Sequence, residues 1–179
     1  KYMFSSYRPK NSFDEYFKDN VNSAREILIP LLSSLDNMGL EELNRNHSAA
    51  KKLLLRHGAT FRLNDTGLKG TERILPFDPL PRIISKDDWL ILEKGLKQRL
   101  EAIDLFLDDI YNSQNIINDG IIPRELIESS EGWRPQMIGF KPPLNKWCQI
   151  SGLDLIRDRK GDWHVLEDNL RCPSGVAYF

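Results

Sequence analysis

The sequence predicts a mixed α/β fold of the α+β kind, in which N-terminal helices precede an antiparallel β-hairpin. Three observations carry that expectation. A long apolar stripe at helical spacing runs from Trp89 to Ile110, the strand-like runs gather after Trp133, and a turn containing Gly161 joins the last two of them. At 179 residues, 40% of them hydrophobic, the chain can bury a core without a metal or a disulfide to staple it.

The elements follow in order. Asn22 and Ser23 can cap a helix running towards Leu35, with Pro30 expected to kink or delay it and Gly39 to stop it. Leu43, His47, Ala50, Leu54 and His57 recur at alternating steps of four and three, one face of a second helix that Gly58 ends. Thr60 to Leu63 reads as a short strand. Between Asn64 and Ser85 the breakers Gly67, Gly70, Pro76, Pro79 and Pro81 oppose any regular element, and Arg73, Phe77, Asp78 and Arg82 suit an ordered loop packed on the body.

Ser85 and Asp88 form a capping-box variant ahead of Trp89, Leu92, Leu96, Ile103, Phe106 and Ile110, the stripe of the longest helix. Arg99 interrupts it, which puts that turn at the edge of the core. Residues 116–130 hold shorter helical pieces punctuated by Gly120 and Pro123. Strands are expected at 137–141, 147–158 and 163–169. The expected organisation is a mainly helical region over 1–132, with the irregular loop at 64–85, and a β-rich segment over 133–179.

Lysine and arginine number 25 against 26 acidic residues, a net charge of −1, which argues against a protein built to neutralise nucleic-acid phosphates or anionic lipid. The cluster Lys51, Lys52 and Arg56 is too small to reverse that balance. No apolar run approaches the ~20 residues of a membrane helix. Cys148 and Cys172 do not make a disulfide framework. The expectation is therefore a cytoplasmic protein with no nucleic-acid or membrane partner.

The hairpin carries the chemistry. If its turn has an even number of residues, Asp158 faces Gly161, Arg157 faces Asp162 and Asp154 faces Val165, so that Asp154 shares a face with Val165, Glu167 and Asn169. Two carboxylates and an amide oxygen are hard ligands of the kind that suit Mg²⁺ or Mn²⁺. Leu153, Leu155 and Leu166 would then pack into the core, with Ile156, Trp163 and Val165 on the carboxylate face. An odd turn would send Asp154 to the opposite face, and a solvated acidic pair is the competing reading of the same spacing.

The stretch from Gly152 to Asn169 resembles the metal-binding hairpin of ATP-grasp ligases, which place an Asp on one strand, a Gly-containing turn, then Glu-x-Asn on the next. Along the whole chain the sequence is more similar to bacterial circularly permuted ATP-grasp proteins of the glutathionylspermidine synthase-like kind. The resemblance rests on Gly70-Thr-Glu-Arg73, Phe77-Asp-Pro-Leu-Pro-Arg-Ile-Ile84, Gly132-Trp-Arg-Pro-Gln-Met-Ile-Gly139 and Leu166-Glu-Asp-Asn-Leu-Arg-Cys-Pro-Ser-Gly-Val-Ala-Tyr178, and covers the chain from about Phe13 onward.

It implies a hairpin belonging to an ATP-grasp-type sheet, in the N-terminal portion of a longer enzyme whose adenine-binding strands, lysines and phosphate-covering loop lie in a C-terminal part. It also implies an ATP-dependent carboxylate–amine ligase. ATP would phosphorylate a small-molecule or peptide carboxylate, and an amine would displace the phosphate. ATP and Mg²⁺, with Mn²⁺ as substitute, are the implied cofactors, with Asp154, Glu167 and Asn169 as metal ligands. ATP-grasp ligases often carry an arginine two residues before the Asp, where this chain has Gly152. Arg171 is the candidate catalytic cation in its place, on the premise that the strand continues past Asn169. Arg73, Arg82, Ser174 and Gly175 are candidates for holding substrate carboxylate or phosphate. His47 and His57 read as core or interface residues, and His164 as alternating away from Glu167. The segment alone is expected to be inactive. The alternative is a non-catalytic protein-interaction domain that retains the scaffold.

Overall fold

The computed structural model describes residues 3–10, 12–18, 22–62, 72–74, 76–173 and 175–176, with the side chains of 60–62 and 72–74 outside that description. The chain divides into two units, Lys1–Ser85 and Lys86–Phe179, each described by itself.

In the first unit Asp14 turns the chain. Its Oδ1 accepts the backbone N–H groups of Tyr16 and Phe17, both at 2.8 Å, and its Oδ2 accepts the Tyr7 hydroxyl at 2.6 Å. The turn lets Phe17 bridge to Ala24 and buries the Phe17 ring, with Phe4 edge-on at 5.8 Å and Tyr7 and Tyr16 beside it. Phe17, Leu28, Leu35 and Ala59 are the buried apolar residues of this unit among those described.

Helix α1 spans Ile29–Met38 after a short 3-10 turn. The helix does not start at the Asn22–Ser23 cap, since Leu28 is its N-cap, and Pro30 does not kink it but stands where the helix begins late. Standing in the first turn, its fixed φ and missing N–H cost nothing there. Gly39, at φ 79° and ψ 159°, ends α1 and starts α2, Leu40–Arg56. No residue of α2 is fully buried, but Leu43, His47, Ala50 and Leu54 of its stripe are half-buried, whereas Leu53 and Leu55, off the stripe, are more than half exposed. The Nε2 of His47 lies 2.9 Å from the Phe77 carbonyl oxygen. Strands β1, Thr60–Arg62, and β2, Glu72–Ile74, pair antiparallel, so a strand interrupts the stretch read as irregular.

The second unit is built on α3, Lys86–Tyr111, with Asp87 and Asp88 in its first turn, where the helix dipole favours them. Its last residue is buried between two indoles: Trp133 stacks on Tyr111 at 4.6 Å and Trp147 on the other side at 5.0 Å. Such stacks contribute about 1 kcal/mol each beyond the area they bury. The Asp109 carboxylate accepts the N–H groups of Asn115 and Ile116, opening α4, Asn115–Asn118. Helix α5 follows at Arg124–Glu128.

The strand expected at 137–141 does not form. Pro135 starts a 3-10 turn over Pro135–Met137, Gly139 takes φ 79° to donate to the Tyr111 carbonyl at 2.8 Å, and Pro142 and Pro143 follow without N–H groups to offer a ladder. The next strand starts later than expected, because residues 146–148 are held to α3 instead. Asp104, only 7% exposed, accepts the N–H groups of Trp147 and Cys148 at 2.9 and 3.1 Å and pairs with Lys146 at 3.1 Å.

Strands β3, Gly152–Arg157, and β4, Trp163–Asn169, form a two-stranded antiparallel sheet. Its turn, Asp158–Asp162, has an odd length, set by Asp158: Oδ1 accepts the N–H groups of Lys160 and Asp162 at 2.8 and 3.0 Å, and Gly161 adopts φ 94°. Arg157 therefore faces Trp163, not Asp162.

Removing the Asp104 carboxylate leaves two part-buried N–H groups unpaired. Asp104→Ala should lower the unfolding free energy by about 2–4 kcal/mol in urea denaturation, and Asp104→Asn, which keeps one acceptor oxygen, by less.

Candidate functional site

The register of the hairpin decides where its acidic residues meet. From the turn, Arg157 faces Trp163, Ile156 faces His164 and Leu155 faces Val165. The register then shifts, leaving Leu166 without a partner, so that Asp154 faces Glu167, Leu153 faces Asp168 and Gly152 faces Asn169. Asp154 is thus opposite Glu167, not Val165. The odd turn and the bulge each displace the pairing by one residue, and the two displacements together leave Asp154, Glu167 and Asn169 on one face.

The same bulge reassigns the neighbours. Trp163 and Val165 leave the carboxylate face and line an open groove of about 510 Å³ with Leu155 and with Leu92 and Leu96 of α3. Leu166 is not in the core but 67% exposed. His164 shares the carboxylate face, opposite Ile156, with Nε2 3.3 Å from the Asp158 carboxylate.

Two ties bind the other face to α3. The Arg99 guanidinium grips both oxygens of Asp168 at 2.7 and 2.6 Å. Asp88 accepts the Trp163 indole N–H at 3.2 Å and pairs with Arg157 at 2.7 Å, while the Arg157 guanidinium lies 4.2 Å over the Trp163 ring. Sequence reasoning missed these partners. The signal was Arg99 itself, a cation on an otherwise apolar stripe, which marks a point where a charge on another element must meet the helix.

Directly opposed residues place their Cβ atoms about 5 Å apart. At that separation two carboxylates repel unless a cation or proton lies between them. Among the described residues no hydrogen bond or ion pair engages the side chains of Asp154, Glu167 or Asn169. Asp154 and Glu167 are exposed and Asn169 is half-buried. This donor set fits a hard divalent cation. Among the described residues no group of three or more His, Cys, Asp and Glu side chains is arranged to hold an ion, so the set consists of two carboxylates and an amide.

Gly152 has a physical reason to lack a side chain. A Cβ there would lie 2.9 Å from Cβ of Pro173, whose ring folds back over the end of the hairpin, so an arginine at this position has no room. The strand does not continue to Arg171. It ends at Asn169, and Cys172 takes φ 50°, so alternation along β4 does not carry Arg171 onto the carboxylate face. Arg171 is exposed. Gly175 lies in a turn closed by the Val176 N–H to the Pro173 carbonyl at 3.3 Å. Ser174 lies outside the described residues, as does the Arg73 side chain. Arg82, in the first unit, pairs with Glu15 at 3.1 Å.

Charge states follow from these contacts. Hydrogen bonds from Arg99 hold the Asp168 carboxyl below the ordinary carboxylate range. For Asp104 burial pushes the pKa upward, but the N–H groups of Cys148 and Trp147 and the Lys146 ammonium outweigh it and the net shift is downward. Burial, with the Asp104 charge beside it, makes the Cys148 thiol less acidic than usual, which disfavours the thiolate that a zinc site needs.

Residues 81–179 match the family described as circularly permuted ATP-grasp type 2. The chain belongs to this family. An uncharacterised protein of Synechocystis sp. is 47% identical over 98% of this chain and 36% of its own length. One from Mycobacterium tuberculosis is 41% identical over 93% of the chain and 29% of its own length. A protein of Frankia alni, named as a candidate glutamate–cysteine ligase, is 35% identical over 98% of the chain and 20% of its own length. The chain therefore spans about a third or less of these curated relatives. Among the described residues, no helix of this ATP-grasp family member is long and apolar enough to cross a membrane.

Two outcomes are expected. Gly152→Ala should destabilise the protein by about 1–3 kcal/mol in denaturant titration, because Pro173 must move to admit the new Cβ. Because the folded-state pKa of Asp104 is depressed, its contribution is present above the unfolded value and lost as pH falls through the folded one. Between pH 6 and pH 3 the urea midpoint should therefore fall further for the wild type than for Asp104→Asn.

Proposed function

We propose that this chain carries the metal-holding edge of an ATP-dependent ligase that joins a carboxylate to an amine through an acyl-phosphate. The observation that carries the reading is the direct opposition of Asp154 and Glu167, with Asn169 on the same face, in a member of the circularly permuted ATP-grasp family.

In this reading Asp154 and Glu167 hold Mg²⁺, or Mn²⁺ in its place, and Asn169 adds a neutral oxygen that limits the negative charge met by an anionic nucleotide. The bound cation would neutralise the ATP phosphates as the phosphoryl group moves to the substrate carboxylate. Pro173 fills the corner beside Gly152 where an arginine often stands in ATP-grasp ligases. Arg171, exposed two residues past the end of β4, is our candidate for the cation that steadies the transferred phosphoryl group. The turn at Pro173–Val176, with Ser174 and Gly175, and the side chains of Arg73 and Arg82 are proposed to bind substrate carboxylate or phosphate.

The substrate class we favour is a peptide-like one, in which an amino-acid or peptide carboxylate is amidated. The glutamate–cysteine ligase name of the Frankia relative supports it. Since the chain covers a fifth of that relative, its name supports the class and not the individual substrates. The remaining ATP-binding elements would come from the part of the longer protein that this chain does not span.

In the longer protein, Glu167→Ala and Asn169→Ala should each reduce Mg²⁺-dependent release of ADP by at least about 100-fold, about 2.7 kcal/mol in the barrier, with the circular-dichroism spectrum unchanged. An unaltered rate in both variants would remove the assignment. The 179-residue chain by itself should show no ATP turnover.

A further inference from the structure

The polar tie on the back of the hairpin has a consequence for its front. Up to Val165, odd-numbered residues of β4 face α3, as Trp163 and Val165 do in the groove. Were the strand regular beyond that point, Leu166 would face Asp154, and Glu167 and Asn169 would turn towards α3. The bulge at Leu166 reverses the alternation, and the residue that then faces α3 is Asp168, seated on Arg99 through both carboxylate oxygens.

The spacing of the two ties suits this arrangement. Asp88 and Arg99 are eleven residues apart on α3, about 16 Å at the helical rise. Trp163 and Asp168 are five residues apart on β4, but the bulge sets them opposite Arg157 and Leu153, four residues apart on β3 and about 13 Å at the strand rise, and the long Arg99 side chain closes the difference onto Asp168. With Trp163 fixed to Asp88, the residue that reaches Arg99 is the one at position 168. A regular strand would present Glu167 to that side and leave Asp168 on the other.

We infer that Arg99 and Asp168 are positioning residues: their ion pair selects the bulged register of β4 and so brings Glu167 and Asn169 onto the face of Asp154. The pair touches neither carboxylate of that face. Its link to metal binding rests on the function proposed above, whereas the link to register does not.

Disulfide trapping reads the register directly, because opposed strand positions lie close to the Cβ separation a disulfide needs. In the longer protein, with its native cysteines changed to serine, the pair Asp154→Cys with Glu167→Cys should cross-link at least tenfold faster than Asp154→Cys with Leu166→Cys. Arg99→Leu or Asp168→Asn should lower that ratio by fivefold or more. The reversed pair, Arg99→Asp with Asp168→Arg, should restore it. If Arg99→Leu does not fold, Arg99→Lys, which cannot grip both oxygens, and Asp168→Asn carry the comparison. A ratio that stays within twofold in the folded variants overturns the inference.

A second readout uses Mn²⁺ alone, followed by electron paramagnetic resonance on the protein with its native residues at 154, 166 and 167. Asp168→Asn should weaken Mn²⁺ binding about tenfold, and the charge-reversed pair should recover it. Loss of binding in Glu167→Ala with full binding in Asp168→Asn would count against the positioning role. Unchanged binding in Glu167→Ala would overturn the metal assignment while leaving the cross-linking ratio to decide the register.

Discussion

Charged side chains on α3 hold the second unit together where apolar surface is scarce. A two-stranded sheet buries little, and among the described residues Leu92 and Ile110 are the buried aliphatic side chains of this helix. Asp88, Arg99 and Asp104 supply what packing does not. Each meets more than one donor or acceptor, on segments remote in sequence: the turn end of the hairpin, its open end, and the chain entering β3. Because hydrogen bonds are directional and apolar contacts are not, this helix specifies the position of the hairpin as well as adhering to it.

That arrangement explains the composition of the helix. Arg99 breaks an apolar stripe that would otherwise be continuous and Asp104 stands buried beside it, departures that are defects only if the helix packs against a greasy surface. Against a strand whose inner positions include Asp168, and a loop that offers bare N–H groups at 147 and 148, the departures are the complementary surface. Tyr111 does the same work at the end of the helix by apolar means, its ring held between two indoles and its hydroxyl accepting the Arg134 N–H at 3.2 Å.

Local features of the fold were legible in the sequence. Period and breakers located α1, α2, α3 and the two hairpin strands, because each is decided by residues within a few positions of one another. The strand expected at 137–141 failed because β-prone residues there lie between prolines, and the N–H groups of Met137, Ile138 and Phe140 close local turns while that of Gly139 goes to the Tyr111 carbonyl, leaving none for a ladder. In the hairpin, Asp154, Glu167 and Asn169 were assigned to one face through the wrong register. Parity survives any even total displacement, and the two single-residue shifts supplied one. The turn shift could have been read from Asp158, whose carboxylate suits a five-residue connection. The bulge could not, since nothing near Leu166 marks it and its determinants lie on another element. The role of Arg171 was argued from strand continuity, which a backbone turn at Cys172 removes.

The paired offsets in the hairpin bear on how such a segment can change in length during evolution. A single residue inserted into or deleted from the Asp158–Asp162 turn would rotate every outer position of β4 to the opposite side, whatever the identities of the residues. A matching change at Leu166 would rotate the outer half back. Length variants of this hairpin that keep their acidic face are therefore expected to differ by coupled one-residue events at two places, or by two residues at one. An alignment that places a lone gap between Asp154 and Glu167 would pair residues that occupy opposite sides of the sheet.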